Sequence, residues 1–140
     1  MTASQTRARE IAEEAHRGQI KKTGGLVIDH VSRVAARVAD DEAKTVAWLH
    51  DVVEKAPAWT LDRLREEGFP CTILAAVDAL TKRSGEEHGD LVRRAAGNPL
   101  ARQVKCADLE DNLAEALRAG RDGSKYRHGL EIIACHRGPE

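Results

Sequence analysis

Apolar side chains recur every three to four positions along most of the chain, which is the period of a helix with one buried face. Val31, Val34, Ala35 and Val38 show this spacing clearly. No stretch alternates apolar and polar side chains in the way that a half-buried strand does. The pattern therefore predicts an all-α chain of eight helices, over residues 4–18, 29–39, 41–55, 61–67, 71–82, 86–96, 99–119 and 124–135.

Short polar residues and prolines indicate where several of these helices begin or end. Ser4, Asp41 and Thr60 are predicted N-caps, because their side-chain oxygens can accept a backbone N–H of the first turn. Pro57 ends the third predicted helix, since proline has no N–H to continue it. Pro99 fits the first turn of the longest helix, where that N–H has no partner in any case.

Composition agrees with packed helices. Hydrophobic residues make up 41% of the chain and aromatic residues only 3%, so alanine, leucine and valine must form the core. The length of 140 residues predicts one domain over 1–140, with a tail that frays from about residue 136. We therefore expect a single compact helical bundle.

Charge and hydropathy exclude several kinds of partner. The net charge of −1 is not that of a basic nucleic-acid-binding protein. The chain begins without an apolar signal core and has no stretch of about 20 apolar residues, so we expect no membrane partner and a cytoplasmic protein. Cys71, Cys106 and Cys135 form an odd set without a Cys-x-x-Cys motif, which is typical of small buried side chains in a reducing compartment.

The most informative stretch contains His50, Asp51 and Glu54. Glu54 lies four residues after His50 and three after Asp51, so one helix places all three on one face. His30 lies in an earlier predicted helix and Asp108 in a later one. Two imidazoles and two carboxylates from three helices form a ligand set that suits a first-row divalent metal.

This order of residues is the signature of the HD phosphohydrolase superfamily, and further motifs narrow the resemblance. From about Ile11 to Leu117 the chain resembles the hydrolase domain of the RelA/SpoT homologues, and among them the small alarmone hydrolases. The motifs that carry this resemblance are Ala-His-Arg-Gly-Gln at 15–19, Lys-Lys-Thr-Gly at 21–24, His-Asp-Val-Val-Glu at 50–54, Val-Asp-Ala-Leu-Thr-Lys at 77–82 and Lys-Cys-Ala-Asp-Leu-Glu-Asp-Asn at 105–112. Large members carry a synthetase domain after the hydrolase domain, and we expect none in 140 residues.

The resemblance implies a function in the stringent response and a role for each matched residue. It implies hydrolysis of the 3′-diphosphate of guanosine 3′,5′-bis(diphosphate), ppGpp, with release of pyrophosphate and with Mn²⁺ or another first-row divalent metal as cofactor. The implied metal ligands are His30, His50, Asp51 and Asp108. Glu54 matches a catalytic acid, and the implied substrate contacts are Lys21, Lys22, Thr23 and Asn112.

Four departures from the family pattern leave alternatives open. Lys55 stands where the family has a second catalytic acid, and Lys21 replaces an arginine. A rigid Glu-Pro-Tyr segment after the basic residues is replaced by 25–27, and Glu115 replaces a threonine near the nucleotide. The alternatives are an HD-type phosphatase acting on another nucleotide, such as a nucleoside monophosphate or NADPH, and a weakened enzyme that serves as a nucleotide sensor. The true substrate, the metal and the oligomeric state stay open.

The remaining histidines receive no role in the predicted site. His16 belongs to the first motif and is expected to be a packed helix residue. His88, His128 and His136 share no spacing with the predicted ligands, so we expect them on the surface.

Overall fold

Nine α-helices fold within residues 1–135, the part of the chain that this computed structural model describes. The helices are α1 Ala3–Ala15, α2 Val27–Arg37, α3 Asp41–Leu49, α4 Val52–Lys55, α5 Leu61–Glu66, α6 Cys71–Leu80, α7 His88–Ala96, α8 Pro99–Arg118 and α9 Ser124–Cys135. The all-α prediction is confirmed, and the β-type pairing in this part of the chain is one isolated antiparallel bridge between Ile20 and Leu26. The predicted frayed tail and His136 lie outside the described residues.

Most of the apolar residues form one core, and α8 runs along it. Helices α2, α3, α6, α7 and α9 all pack against α8. In the large core, Val46 and Leu49 of α3 are fully buried, and burial of such side chains contributes about 1.5–3 kcal/mol each. A smaller, separate cluster joins α7, α8 and α9, and its buried members are Val92, Ala96, Leu109 and Ile133.

The predicted helix over 41–55 is wrong as one continuous element. Helix α3 ends at Leu49, His50 and Asp51 form a turn, and α4 follows. The carbonyl of Ala47 accepts a hydrogen bond from Nδ1 of His50 at 2.6 Å and another from the His50 backbone N–H at 3.4 Å. A continuous helix would use that carbonyl for the N–H of Asp51. The side chain of His50 therefore competes with the helix that contains it.

The helix starts agree with the predictions only in part. Thr60 is the N-cap of α5, as expected. Thr2 and Asp40 cap α1 and α3, in place of the predicted Ser4 and Asp41. Each of the observed caps lies immediately before the first helical residue and accepts the backbone N–H three residues later. Ser4 and Asp41 already lie within their helices, so they cannot take this position.

A short hairpin connects α1 to α2, and we call residues 19–26 the basic loop. Its backbone closes with hydrogen bonds from the N–H of Lys21 to the carbonyl of Gly25, at 2.7 Å, and from Val27 to Gln19, at 3.0 Å. Gly24 has a φ of 96°, a conformation that residues with a Cβ rarely adopt, so a glycine is required at this turn. Through residue 135, the chain forms no helix with the length and apolar character needed to cross a bilayer.

Candidate functional site

The four predicted ligands come together where α2, the turn after α3 and α8 meet. Nε2 of His30 lies 2.8 Å from Oδ1 of Asp108, and Nε2 of His50 lies 3.4 Å from the same oxygen. Nε2 of His50 also lies 3.4 Å from Oδ2 of Asp51. Ligand atoms of His30, His50 and Asp51 all lie within 4.8 Å of one another, which is a spacing that can hold one ion.

Both imidazole rings are oriented by a partner of their Nδ1 atoms. Nδ1 of His50 donates to the Ala47 carbonyl, and Nδ1 of His30 lies 2.6 Å from Oδ2 of Asp111. Both Nε2 atoms therefore point at the carboxylates of the cluster. Nε2 of His50 is buried and has no hydrogen-bond partner among residues 1–135, although buried nitrogen atoms almost always have one. A cation between the imidazoles and carboxylates would satisfy it, so this donor set fits a first-row divalent metal.

Electrostatics make the cluster a site for positive charge. Burial is the largest single influence on His50 and would lower its pKa, but the carboxylates of Asp51 and Asp108 together outweigh burial and raise that pKa to about 9. The pKa of His30 is also raised, because hydrogen bonds to Asp108 and Asp111 outweigh its burial. The carboxylates thus favour protons on the imidazoles, and a metal ion must compete with those protons.

Asp108 is held on both sides by residues of its own helix. Nζ of Lys105 lies 3.0 Å from its Oδ2, and Nδ2 of Asn112 donates to its Oδ1 at 3.1 Å. The spacings of three and four residues place all three side chains on one face of α8. Burial would raise the pKa of Asp108, but Lys105 and the two histidines hold it well below its ordinary value, so Asp108 is ionised.

A second group of charged residues, which the sequence did not predict to lie together, contacts His30. Asp111 is buried and accepts two hydrogen bonds from Arg33, from Nε at 2.9 Å and from Nη2 at 3.1 Å. Nη2 of Arg33 also bonds to Glu115, and His30, Asp111 and Glu115 together have a spacing that can hold an ion. Two sequence signals concerned members of this group: the offset of three residues from Asp108 to Asp111, and the departure from the family pattern at Glu115.

A cavity of about 530 Å³ opens beside the predicted ligands His30, Asp51 and Asp108. That volume lies within the ordinary range for small-molecule sites. Six lysines line the cavity: Lys21, Lys22, Lys55, Lys82, Lys105 and Lys125. The residues therefore combine a cluster suited to a metal with a surface suited to a polyanion.

The predicted substrate contacts line one wall of this cavity, which we call the loop wall. Nζ of Lys21 donates to Oδ1 of Asn112 at 2.6 Å and lies 3.2 Å from Glu115. The hydroxyl of Thr23 donates to Oε2 of Glu115 at 2.9 Å. Lys22 is exposed at the rim. Glu115 pairs with Lys21, whereas Lys22 makes no ion pair within the described residues, so the loop wall combines one available cation with several hydrogen-bonding groups.

A second set of lining residues, Lys82, His88, Lys125 and Tyr126, was not predicted from the sequence as part of the site; we call it the lysine wall. The expectation that His88 is a surface residue is wrong, since it is partly buried and lines the cavity. Burial, reinforced by nearby lysines, lowers the pKa of His88 to about 4, so its ring is neutral at pH 7. These residues come from the segment after α6, from α7 and from α9, and no local spacing relates them.

Glu54 and Lys55 are both exposed on α4 and both line the cavity beside Asp51. The end of α4 is fixed by Gln19, whose Nε2 donates to the carbonyl of Lys55 at 2.9 Å. Oε1 of Gln19 lies 2.9 Å from Nδ1 of His16, which is buried as expected of a packed residue. The first motif therefore supports α4 from behind, and the position of Glu54 depends on it.

Comparison with known proteins finds relatives among enzymes of guanosine 3′,5′-bis(diphosphate) and GTP metabolism. No family model matches the chain. The guanosine-3′,5′-bis(diphosphate) 3′-pyrophosphohydrolase of Haemophilus influenzae is 40% identical over 76 residues, which are 51% of this chain and 11% of that protein. The GTP pyrophosphokinase of Streptomyces coelicolor is 32% identical over 143 residues, covering 91% of this chain and 17% of that protein. The chain thus spans less than a fifth of the length of these relatives.

A solved structure shows the same fold. It is described as a metazoan ortholog of SpoT that hydrolyzes ppGpp, and it superposes with a TM-score of 0.73 at 21% identity. The match covers 97% of this chain and 86% of that one. The helical arrangement described above is therefore that of a known hydrolase structure.

Proposed function

Since this chain is homologous to the RelA/SpoT proteins, we propose that it is a metal-dependent phosphohydrolase that removes the 3′-diphosphate of ppGpp as pyrophosphate. One observation carries the proposal. A buried cluster of two histidines and two carboxylates lies at one side of a cavity lined by six lysines. A polyanionic phosphate ester is the kind of substrate that such a combination binds and hydrolyses.

The metal would be held by His30, His50, Asp51 and Asp108, and we propose Mn²⁺ or another first-row divalent ion. When bound there, such an ion supplies Lewis acidity towards a phosphate oxygen and makes a bound water more acidic. The protein contributes the fixed orientation of both imidazoles and the two supports of Asp108, Lys105 and Asn112. These contacts keep four donor atoms converged in a site that is mostly excluded from water.

Glu54 is proposed as the base that accepts the proton of the attacking water. Its carboxylate lines the cavity beside Asp51 and has no hydrogen bond or ion pair with any residue in the described part of the chain. A carboxylate that is exposed to the cavity and uncommitted is available for proton transfer, which contributes about 10²–10⁴-fold to rate.

The two walls suggest how the substrate lies. Apart from Lys22, the loop wall is charge-paired and offers amide, hydroxyl and carboxylate groups, which suit the neutral base and sugar. Lys82 and Lys125, at the lysine wall, make no ion pair with a carboxylate in the described residues, so their charge is available to a diphosphate. A nucleotide with two separate diphosphates can place one at the metal cluster and the other on these lysines.

The test is a panel of nucleotides incubated with Mn²⁺-loaded protein, with the products separated by ion-exchange chromatography. We expect pyrophosphate and GDP from ppGpp. The Asp51→Asn variant should release neither, whereas His128→Ala should behave as the parent, because His128 is exposed on α9 away from the cluster. No pyrophosphate from ppGpp with metal bound would refute the proposal.

The same panel separates the alternatives. Release of inorganic phosphate from NADPH or from a nucleoside monophosphate, with ppGpp left intact, would indicate an HD-type phosphatase of another substrate class. Tight binding of ppGpp without any product would indicate a nucleotide sensor.

A further inference from the structure

We propose that Asp111 is a positioning residue of the metal centre, which holds His30 as a ligand through Nε2 and does not bind the ion itself. The proposal rests on the metal site proposed above. Asp111 is a buried carboxylate to which the family resemblance assigns no role. Two groups that share His30 have a spacing that can hold an ion, one with His50 and Asp51 and one with Asp111 and Glu115, and the proposal assigns the ion to the first.

The geometry of His30 supports this assignment. Its ring is buried and lies between two carboxylates, with Nδ1 2.6 Å from Asp111 and Nε2 2.8 Å from Asp108. Asp108 lines the cavity and lies 3.4 Å from Nε2 of His50, whereas Asp111 does not line the cavity. A histidine that binds a metal through one nitrogen usually donates its other N–H to a carboxylate or carbonyl, and Asp111 is placed to accept it.

Arg33 explains why Asp111 is not itself a ligand. Its guanidinium binds both oxygens of Asp111 and also bonds to Glu115. Glu115 receives further bonds from Lys21 and Thr23. A fixed cation thus already occupies the group formed by His30, Asp111 and Glu115, and a second divalent ion there would meet direct repulsion from Arg33.

His50 provides an internal comparison. Its Nδ1 donates to the backbone carbonyl of Ala47, which cannot be removed by a side-chain substitution. His30 receives the equivalent support from a side chain, so only His30 can be released from its orientation by mutation. This difference makes the proposal testable at one position of α8.

The experiment measures Mn²⁺ affinity and stoichiometry by titration against a competing chelator, for the parent and for three variants. Asp111→Leu removes the acceptor at similar volume, and we expect one ion per chain with about 10–100-fold weaker affinity. Asp111→Asn keeps an acceptor oxygen and should recover most of that loss. Glu110→Leu removes a neighbouring, exposed acid of the same helix and should leave affinity unchanged.

A second measurement uses the unaltered protein, so it does not depend on whether a variant folds. In the Zn²⁺-loaded protein labelled with ¹⁵N in its histidines, long-range ¹H–¹⁵N spectra should show His30 with a proton on Nδ1 and the metal on Nε2. The inference is refuted if Nδ1 of His30 carries no proton, if two ions bind per chain, or if Asp111→Leu binds Mn²⁺ as tightly as the parent. Absence of any bound metal in the parent would refute the proposed function as well, which distinguishes the two failures.

Discussion

His50 shows how one side chain sets both local backbone and local chemistry. Its Nδ1 donates a hydrogen bond to the carbonyl of Ala47, at the point where α3 ends. In the turn that follows, Nε2 of His50 lies 3.4 Å from the carboxylate of Asp51. A continuous helix would have kept these two side chains about 100° apart. The two side chains therefore meet at a turn, and His50 favours that turn through its own hydrogen bond to Ala47.

Glu54→Gln should lower turnover of ppGpp by about 10²–10⁴-fold, because the amide cannot accept the proton of the attacking water. Mn²⁺ affinity should stay unchanged, since Glu54 is exposed and bonds to none of the predicted ligands. Steady-state kinetics and a metal titration on the same preparation check both parts. A variant that retains full turnover would remove Glu54 from the mechanism.

Lys55→Asp should raise turnover of ppGpp. The substitution places a second carboxylate beside that of Glu54 at the cavity. It also removes the positive charge of Lys55, which attracts the Glu54 carboxylate. Lys22→Asp is the matched control, because Lys22 is another exposed lysine of the cavity but lies on the basic loop, and it should weaken binding of the substrate without raising turnover. If Lys55→Asp is slower than the parent on every nucleotide tested, Lys55 has a substrate of its own.

The sequence predicted the four proposed ligands but not the residues that support them. His50, Asp51 and Glu54 are close in sequence, and helical spacing predicts that Glu54 lies on the same side as the other two. Arg33 and Asp111 lie 78 residues apart, and their pairing depends on how α2 packs on α8. No periodicity within one helix contains that information.

At the scale of helices and loops, glycines that have no room for a Cβ set how closely α9 approaches its neighbours. A Cβ on Gly129 would lie 2.9 and 3.0 Å from the methyl groups of Leu109 on α8, and 3.3 Å from a ring carbon of His88. Leu109 is itself buried, so it has little space to move. The sequence predicted α9 over residues 124–135, as observed, but not this contact, because helical period says nothing about interhelical distance.

Gly129→Ala should therefore destabilise the protein by about 1 kcal/mol, because overpacking costs about 1–3 kcal/mol and exceeds the gain from replacing a glycine within a helix. Gly89→Ala is the matched control on α7, where a Cβ would meet nothing closer than 3.4 Å, and it should be neutral or slightly stabilising. Urea denaturation of both variants measures the difference. Equal stability of the two would show that Leu109 can move aside.

At the scale of the whole molecule, the all-α bundle was predictable because apolar period and low aromatic content both favour helices. The cavity was not, since its lysine wall combines ends of elements that are distant in sequence, such as Lys82 and Lys125. The proposed metal site joins α2, the turn after α3, and α8, so occupancy of that site bears on the stability of the entire fold.

Chelation should lower the melting temperature, and Mn²⁺ should restore it. A ligand that binds only the native state adds about 2.7 kcal/mol at a hundredfold excess over its Kd. In a domain of this size, each kcal/mol corresponds to roughly 2–4 °C, so a shift of several degrees is expected in differential scanning calorimetry. The Asp51→Asn variant should show little response and His128→Ala the full one. An unchanged melting temperature in the parent would contradict a preformed site.

The small apolar cluster that holds α9 predicts that this helix opens more readily than the rest of the fold. Helix α9 is fastened to α7 and α8 by the small cluster of Val92, Ala96, Leu109 and Ile133, apart from the large core. A separately packed element of this kind opens at lower free energy than the rest of a domain. We therefore expect faster amide deuterium uptake by mass spectrometry over 124–134 than over 99–118. Lys125 and Tyr126 lie in the first turn of this helix, so each opening would remove one side of the cavity. The four proposed ligands would stay folded during such an opening, because none of them lies on α9. Equal protection of the two segments would exclude this motion.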